Sequence, residues 1–397
     1  MLFGFRFIFI CLYYKFAKPM FGMSITSVSS IVTKTPSAKI KIYSLNTNID
    51  ALNDSNGNTT SVCMTDDCLK IYMSVTNGNV YICDVINNNW IKSTGDATFN
   101  NRSWRDIVCS STGQYVCCVI ASPTANDANG IIYYSTDYGN TFTKSSFTQS
   151  TTNNYAPVGG GNGINLAMSS DGTQLYYAHN ISASTSSLFK STDYGSTWSL
   201  IASPLTAITV KTNNTGQYVI YGGNVVTQIS LDYGSTWKNT GAGGNAVPKY
   251  LSNIDINPTG ILQFYGITYN AGSWNSVQRT VFNVSTNATN NSNLNPIYNF
   301  APPSSGTRYI ASVNKQQIIM VADVPSNTLN GNIYISTNGA SSLAQGLNGN
   351  VVTSFSNFTL TQSILQSSWT GLKSNYNDSI VISNKIGKVY IYSWTLQ

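Results

Sequence analysis

The chain has 397 residues and a formal net charge of +6, yet only 9% of its residues are charged. All 15 acidic residues are aspartates, and Asn, Ser, Thr, Gly and Tyr fill the remaining polar positions. That set builds strands, turns and polar loops; long surface helices draw on Glu and Lys, so the composition excludes an all-helical protein. The basic residues are scattered, which leaves no specific nucleic-acid signal.

Residues 2–14, from Leu2 to Tyr14, are apolar and aromatic apart from Arg6, with Lys15 and Lys18 following. The stretch is shorter than a bilayer span. Three readings stay open: the core of a secretion signal or anchor, a tract upstream of a true start at Met20 or Met23, and a peptide packed on the body. Membrane contact is expected only here. Location stays open between a secreted or cell-surface protein and a virion-associated one; the Asn and Thr excess fits an AT-rich genome such as that of a large DNA virus or a protist. Residues 1–37 are read as this stretch plus a loose arm, and residues 38–397 as one domain. From Lys39 to Leu45, Lys39, Lys41 and Tyr43 alternate with Ile40, Ile42 and Ser44, which predicts a half-buried strand.

A first unit follows over 60–95, with strands near Ser61 to Met64, Leu69 to Val75, Asn79 to Val85 and Trp90 to Ser93. Beyond it one phrase occurs three times: Ser135-Thr136-Asp137-Tyr138-Gly139-Asn140-Thr141-Phe142, Ser191-Thr192-Asp193-Tyr194-Gly195-Ser196-Thr197-Trp198 and Ser230-Leu231-Asp232-Tyr233-Gly234-Ser235-Thr236-Trp237. Each copy joins two strand-like runs. The Asp accepts N–H bonds from the turn, the Gly takes a positive φ, and the closing Phe142, Trp198 or Trp237 anchors the hairpin in the core. These aspartates are structural, not free carboxylates. Before each phrase lies a second polar turn, carrying Gly113, Gly172 or Gly216. A unit thus reads as four short antiparallel strands with a Gly turn between the first two and an Asp turn between the last two. Repeated at roughly 20–50 residues, such units stack radially as the blades of a β-propeller.

Units are expected at 103–147, 162–203, 206–240, 250–294 and 307–354, the last keeping Ser336-Thr337-Asn338-Gly339 with Asn in place of Asp. The final unit, 366–397, has three strands only, so the strand at 39–45 would complete it and close the ring. The fold class is therefore all-β, a propeller of seven blades, with six as the alternative.

The doubled turn pattern resembles the Asp-box (BNR) repeats of sialidase-like β-propellers, across about 60 to 340. The resemblance implies the fold. For activity, the sialidases' Arg triad, Tyr nucleophile, Glu and Asp acid would be needed. This chain has no Glu, and its five Arg are Arg6, Arg102, Arg105, Arg279 and Arg308, without the family's early Arg-Ile-Pro phrase. No catalytic residue is assigned on that basis.

Six of the seven cysteines lie between Cys63 and Cys118. Small buried residues, disulfides in an exported protein and, least, a metal site are the readings open to them. Cys117 and Cys118 are neighbours in a strand and face opposite ways, which argues against one shared ion. Ten Asn-x-Ser/Thr phrases, among them Asn58, Asn101 and Asn213, would matter only on a secretory route. No cofactor or metal is expected.

In a four-stranded meander the Gly and Asp turns share one face, and the longer, varied connections share the other. Recognition sits where long loops ride on a rigid scaffold. The connections Ser122 to Gly130, Ser146 to Gly163, His179 to Ser186, Thr240 to Tyr250, Asn270 to Ser276, Ser285 to Asn295 and Asp323 to Gly331 are of that kind. Tyr155, His179, Lys249, Trp274 and Arg308 lie on or near this face and are the candidate binding residues. The expected role is a non-catalytic binding or structural propeller that meets a glycan or a protein there. Alternatives are a minor component of a virus particle and a glycoside hydrolase built on an Asp pair such as Asp127 and Asp323.

Overall fold

A computed structural model describes residues 37–44, 59–120, 132–147, 166–180, 186–205, 207–223, 226–243, 248–251, 255–256, 261–270, 273–283, 288–289, 296–299, 307–313, 318–324, 333–336, 356–357, 369–375, 379–384 and 388–395. Among these residues regular structure is strand, grouped in sheets that are antiparallel apart from one short parallel pair. The first sheet is Thr59–Met64, Lys70–Val75, Val80–Asp84 and Asn89–Lys92, in sequence order. The second holds Trp104–Cys109, Val116–Ile120, Ile132–Ser135 and Thr141–Lys144; the third Leu166–Met168, Leu175–Asn180, Ser186–Ser191 and Ser199–Leu205; the fourth Ala207–Thr212, Val219–Gly223, Val226–Ser230 and Lys238–Gly243. The first strand of each packs against the first strand of the next, the arrangement of a β-propeller. The closing sheet runs Trp369–Ser374, Ser379–Asn384, Lys388–Thr395 and then Ser37–Ser44, whose register pairs Ser37 with Thr395 and Ser44 with Lys388. Residues 1–36, including the apolar stretch 2–14, lie outside the described residues.

The hairpins close for local reasons. In the second sheet Asp137 Oδ1 accepts the Thr141 amide at 2.9 Å and the Ser135 hydroxyl at 2.7 Å, and Oδ2 accepts the Thr141 hydroxyl at 2.6 Å. Asp193 and Asp232 repeat this with Thr197 and Ser191, and with Thr236 and Ser230. Burial pushes these carboxyls up, but the hydrogen bonds outweigh it and hold all three below the usual carboxylate range. The turn places Tyr138, Tyr194 and Tyr233 at φ between 60° and 64°, a left-handed conformation unusual for a bulky residue. The many bonds around each Asp sustain it. Of the closing aromatics, Phe142 is buried, whereas Trp198 and Trp237 are half-buried, the first edge-on to Tyr177 and the second tilted against Tyr221.

Neighbouring sheets are locked at the Gly turns. Tyr72 donates to the Gly113 carbonyl at 3.0 Å, and Tyr176 repeats the bond to Gly216 at 2.8 Å. Gly113 and Gly139, at φ of 76° and 77°, both press on the Tyr72 ring, where a Cβ would collide. Backbone bonds then link these turns in series, beginning at the equivalent turn of the first sheet, where Cys68 at φ 59° stands in for the Gly: Asp66 N to Ser111 O, Ser111 N to Ser170 O and Ser170 N to Asn214 O, all 2.7–2.8 Å. From the closing sheet, Asn375 Nδ2 reaches Thr65 O at 3.0 Å.

Several elements differ from expectation. A short strand at Thr94–Gly95 pairs in parallel with Thr141 and Phe142. It brings Phe99 into the joint between the first two sheets, 4.9 Å from both Trp104 and Phe142. In the fifth sheet Ile261–Asn270 and Ser273–Asn283 form one long hairpin, with Asn270 opposite Ser273. Two residues, Ala271 and Gly272, separate these runs, a length and composition that favour a tight hairpin over the long connection expected from Asn270 to Ser276. The third sheet's second strand extends through His179 to Asn180. Cys63, Cys83, Cys117 and Cys118 are buried free thiols. Burial pushes Cys83 up to about 12 and also raises Cys109, Cys117 and Cys118. Cys117 and Cys118 are both enclosed because the second sheet is covered on both faces. Asn213, which heads an Asn-x-Thr phrase, is buried and spends its amide on Tyr218 N and Thr215 Oγ1. It serves as a turn cap, not as an accessible sugar acceptor.

Candidate functional site

The innermost strands end alike. Thr65, Ser110, Ser169, Asn213 and Asn375 each donate a backbone N–H across the following turn, to Lys70, Tyr115, Gln174, Tyr218 and Ser379. These five positions are therefore equivalent in their repeats. Two residues before them stand Cys63, Val108, Ala167, Lys211 and Lys373; one residue before stand Met64, Cys109, Met168, Thr212 and Ser374. Both tiers line a single pocket where the inner strands converge, with Asp66, Ser110, Ser111, Leu166 and Asn375 completing its described wall. The pocket lies at the Gly-turn end of the strands, opposite the end where the sequence reading placed recognition.

Beneath this wall sits Asp106, 2% exposed. Its Oδ1 accepts the Lys373 ammonium at 2.6 Å, the Ser61 hydroxyl at 2.8 Å and its neighbour Ile107 N at 2.9 Å; Oδ2 accepts Leu166 N at 3.0 Å. One carboxylate thereby joins the first, second, third and closing sheets. Lys373 also donates to the Ile107 carbonyl. Lys211 is as deeply placed, 6% exposed, but no hydrogen bond or ion pair to it occurs among the described residues. Burial pushes Lys211 down to about 7; the Lys373 ammonium adds to this, and Asp106 opposes it. Among the described residues the pocket therefore holds one neutralised cation, one amine without a partner and, at its edge, Asp66; the amine is suited to meeting a negative group.

None of the sequence-derived site residues is among the described residues that line the pocket. Tyr155 and Asp127 lie outside the described residues. Lys249 stands in the strand Pro248–Leu251, Trp274 opposite Tyr269 in the long hairpin, and Arg308 opposite Asp323 in the strand pair Thr307–Val313 and Ile318–Val324. His179 is 3% exposed, with Nδ1 3.0 Å from the Tyr177 hydroxyl and Phe147 edge-on at 5.5 Å. It was expected on a connection; the alternation of Leu175, Tyr177 and His179 carries it into the core instead. Burial pushes its pKa down to about 4. Since the unfolded imidazole titrates near about 6.5, the unfolded chain binds the extra proton first. Stability is thus fully present above about pH 6.5 and falls as pH drops toward 4, by on the order of 3 kcal/mol. Urea unfolding of the wild type and His179→Gln at pH 7.5 and 4.5 checks this; the variant should lose most of that difference.

Lys211, Lys373 and Asp106 were missed in the sequence. The available signal was position: counting back from each polar turn puts Lys211 and Lys373 at one equivalent site, whereas isolated lysines in polar strands attract no notice.

No family model matches the chain, and no curated protein is similar to it in sequence. Similarity is found in solved structures. The GH74 xyloglucanase from Xanthomonas campestris superposes with a TM-score of 0.57 at 13% identity, over 89% of this chain and 53% of that one. The GH74 enzyme of Niastella koreensis gives 0.58 at 18%, over 84% and 52%. The RRP9 WD40 repeats give 0.56 at 11%, over 91% and 99%. This chain spans about half the length of the two GH74 structures. At such identities the likeness establishes the β-propeller fold.

Proposed function

We propose that residues 38–397 form a seven-bladed propeller of the Asp-box kind, working as a non-catalytic module that binds a glycan or a protein through its long-connection face. The blade count is supported by adjacency: Trp369–Ser374 neighbours both Thr59–Met64 and Thr307–Val313, and Pro248–Leu251 neighbours both Ala207–Thr212 and Thr307–Val313. The observation that carries the binding role is how the Asp turns use their carboxylates. Asp137, Asp193 and Asp232 each accept three hydrogen bonds within their own hairpins, so these repeated acids serve the frame and not a reaction. A frame stiffened on its short-turn face would suit recognition by long connections such as those the sequence offers at Ser122 to Gly130 and Ser146 to Gly163.

A glycan array with the full chain, run beside a reducing-sugar assay on xyloglucan, tests the reading. Saturable binding is expected, weakened about tenfold or more by Tyr155→Ala or Trp274→Ala, with no sugar released. Binding indifferent to both substitutions would remove the site from that face. Hydrolysis abolished by Asp127→Asn or Asp323→Asn would replace the module with a glycosidase.

A further inference from the structure

The axial pocket at the Gly-turn end belongs to neither the hairpin frame nor the long-connection face. Its charge arrangement is specific. Lys373 is held by Asp106 at 2.6 Å, and Ser61 and Leu166 N fill the rest of that carboxylate. Lys211 lines the same pocket, is more than nine-tenths buried, and has no hydrogen-bond or ion-pair partner among the described residues. A buried amine without a partner carries a desolvation cost that a bound anion would offset. The remaining wall is mixed: Val108, Ala167 and Leu166 are apolar, while Thr212 and Ser110 carry hydroxyls.

We propose that this pocket binds a small monocarboxylate, its carboxylate on the Lys211 ammonium and its short alkyl part against Val108, Ala167 and Leu166. One ammonium, without a partner among the described residues, would balance one negative charge. A doubly charged phosphate would keep an uncompensated charge in a largely dehydrated site, so a monoanion is favoured over a dianion. The apolar patch beside the amine favours an organic acid over a bare inorganic ion.

Occupancy should depend on pH, because the charge on Lys211 does. Among the described side chains, the groups around it that titrate or carry charge are Lys373, Asp106, Asp66 and the thiols Cys63 and Cys109; the next inner strands, Pro248–Leu251 and Asp255–Ile256, carry Lys249 and Asp255. Lys211, pushed down to about 7, is the one that changes charge near neutrality. Binding is therefore expected to be tighter at pH 6 than at pH 8.5.

The experiment is calorimetric titration of the full chain with butyrate, and separately with inorganic phosphate, at constant ionic strength. Butyrate should bind saturably at pH 6 and weaken at least tenfold at pH 8.5. Lys211→Met, which removes a buried unpaired charge and should fold, is expected to weaken butyrate at least tenfold. Ala167→Leu, which fills the apolar side and leaves the amine in place, should weaken it as well. Absent butyrate binding by the wild type, unchanged affinity in Lys211→Met, or tighter binding of phosphate than of butyrate would each overturn the assignment. None of these outcomes depends on the opposite face, so the glycan-array result stands or falls separately.

Discussion

Replacing Asp106 by alanine is expected to cost about 3–5 kcal/mol of unfolding free energy, the range for removing one partner of a buried ion pair. The reason is the number of groups left behind. Lys373 Nζ, Ser61 Oγ, Leu166 N and Ile107 N all point at this carboxylate, and the substitution strands a buried ammonium and a buried amide together. Those groups come from four sheets, so the loss falls on the joints between blades. Equilibrium urea unfolding measures it. Adding Lys373→Met to Asp106→Ala should recover a large part of the loss, because the uncompensated charge is gone. A single variant within about 1 kcal/mol of the wild type would show that the ion pair does not hold the sheets.

Trp104→Ala is expected to cost a similar amount, about 3–5 kcal/mol, by opening a cavity. Trp104 is fully buried at the joint between the first two sheets, with Phe99 at 4.9 Å and Tyr133 at 5.6 Å. Its indole donates to the Gly78 carbonyl at 3.2 Å, a bond also lost in the variant, although that carbonyl keeps the Arg102 N–H at 3.0 Å. The surrounding rings come from separate strands and from the connection at Phe99, so they are not free to collapse into the space. Thermal unfolding, with Ile86→Ala as the control, checks this. Ile86 is 73% exposed and should change stability by no more than about 0.5 kcal/mol.

The parts of this fold that were legible in the sequence are those decided by local chemistry. Ser135, Asp137, Gly139 and Thr141 build their turn from atoms within seven residues of one another, and the phrase recurs because the same turn is needed again. The strands at Lys70–Val75 and Val116–Ile120 follow from apolar runs beside Gly turns. What stayed hidden depends on residues distant in sequence. Asp106 and Lys373 are 267 positions apart, and neither lies in a motif. His179 looked like a loop residue because it precedes a variable segment, but strand pairing with Ser187 continues past it. The long hairpin of the fifth sheet was obscured by Trp274 and the polar residues around it, which read as a surface loop when taken alone. The axial pocket could be found only by superimposing repeats, since its described wall is drawn two or three residues from each of five strands.

The pairing of Ser37–Ser44 with Lys388–Thr395 also sets an order of events during synthesis. The early strand leaves the ribosome hundreds of residues before its partner exists. Until the late strand emerges, the early one has no edge of its own to join, and the flanks of the blades on either side of the gap are without cover. Pairing across so long a stretch of chain is slow compared with hairpin formation, which each blade can complete as it appears. The nascent protein therefore passes through an open arc of finished blades with two sticky ends, a state prone to joining with another copy of itself. Its yield in a cell should depend on how quickly the last strand arrives and on which chaperones meet the arc first.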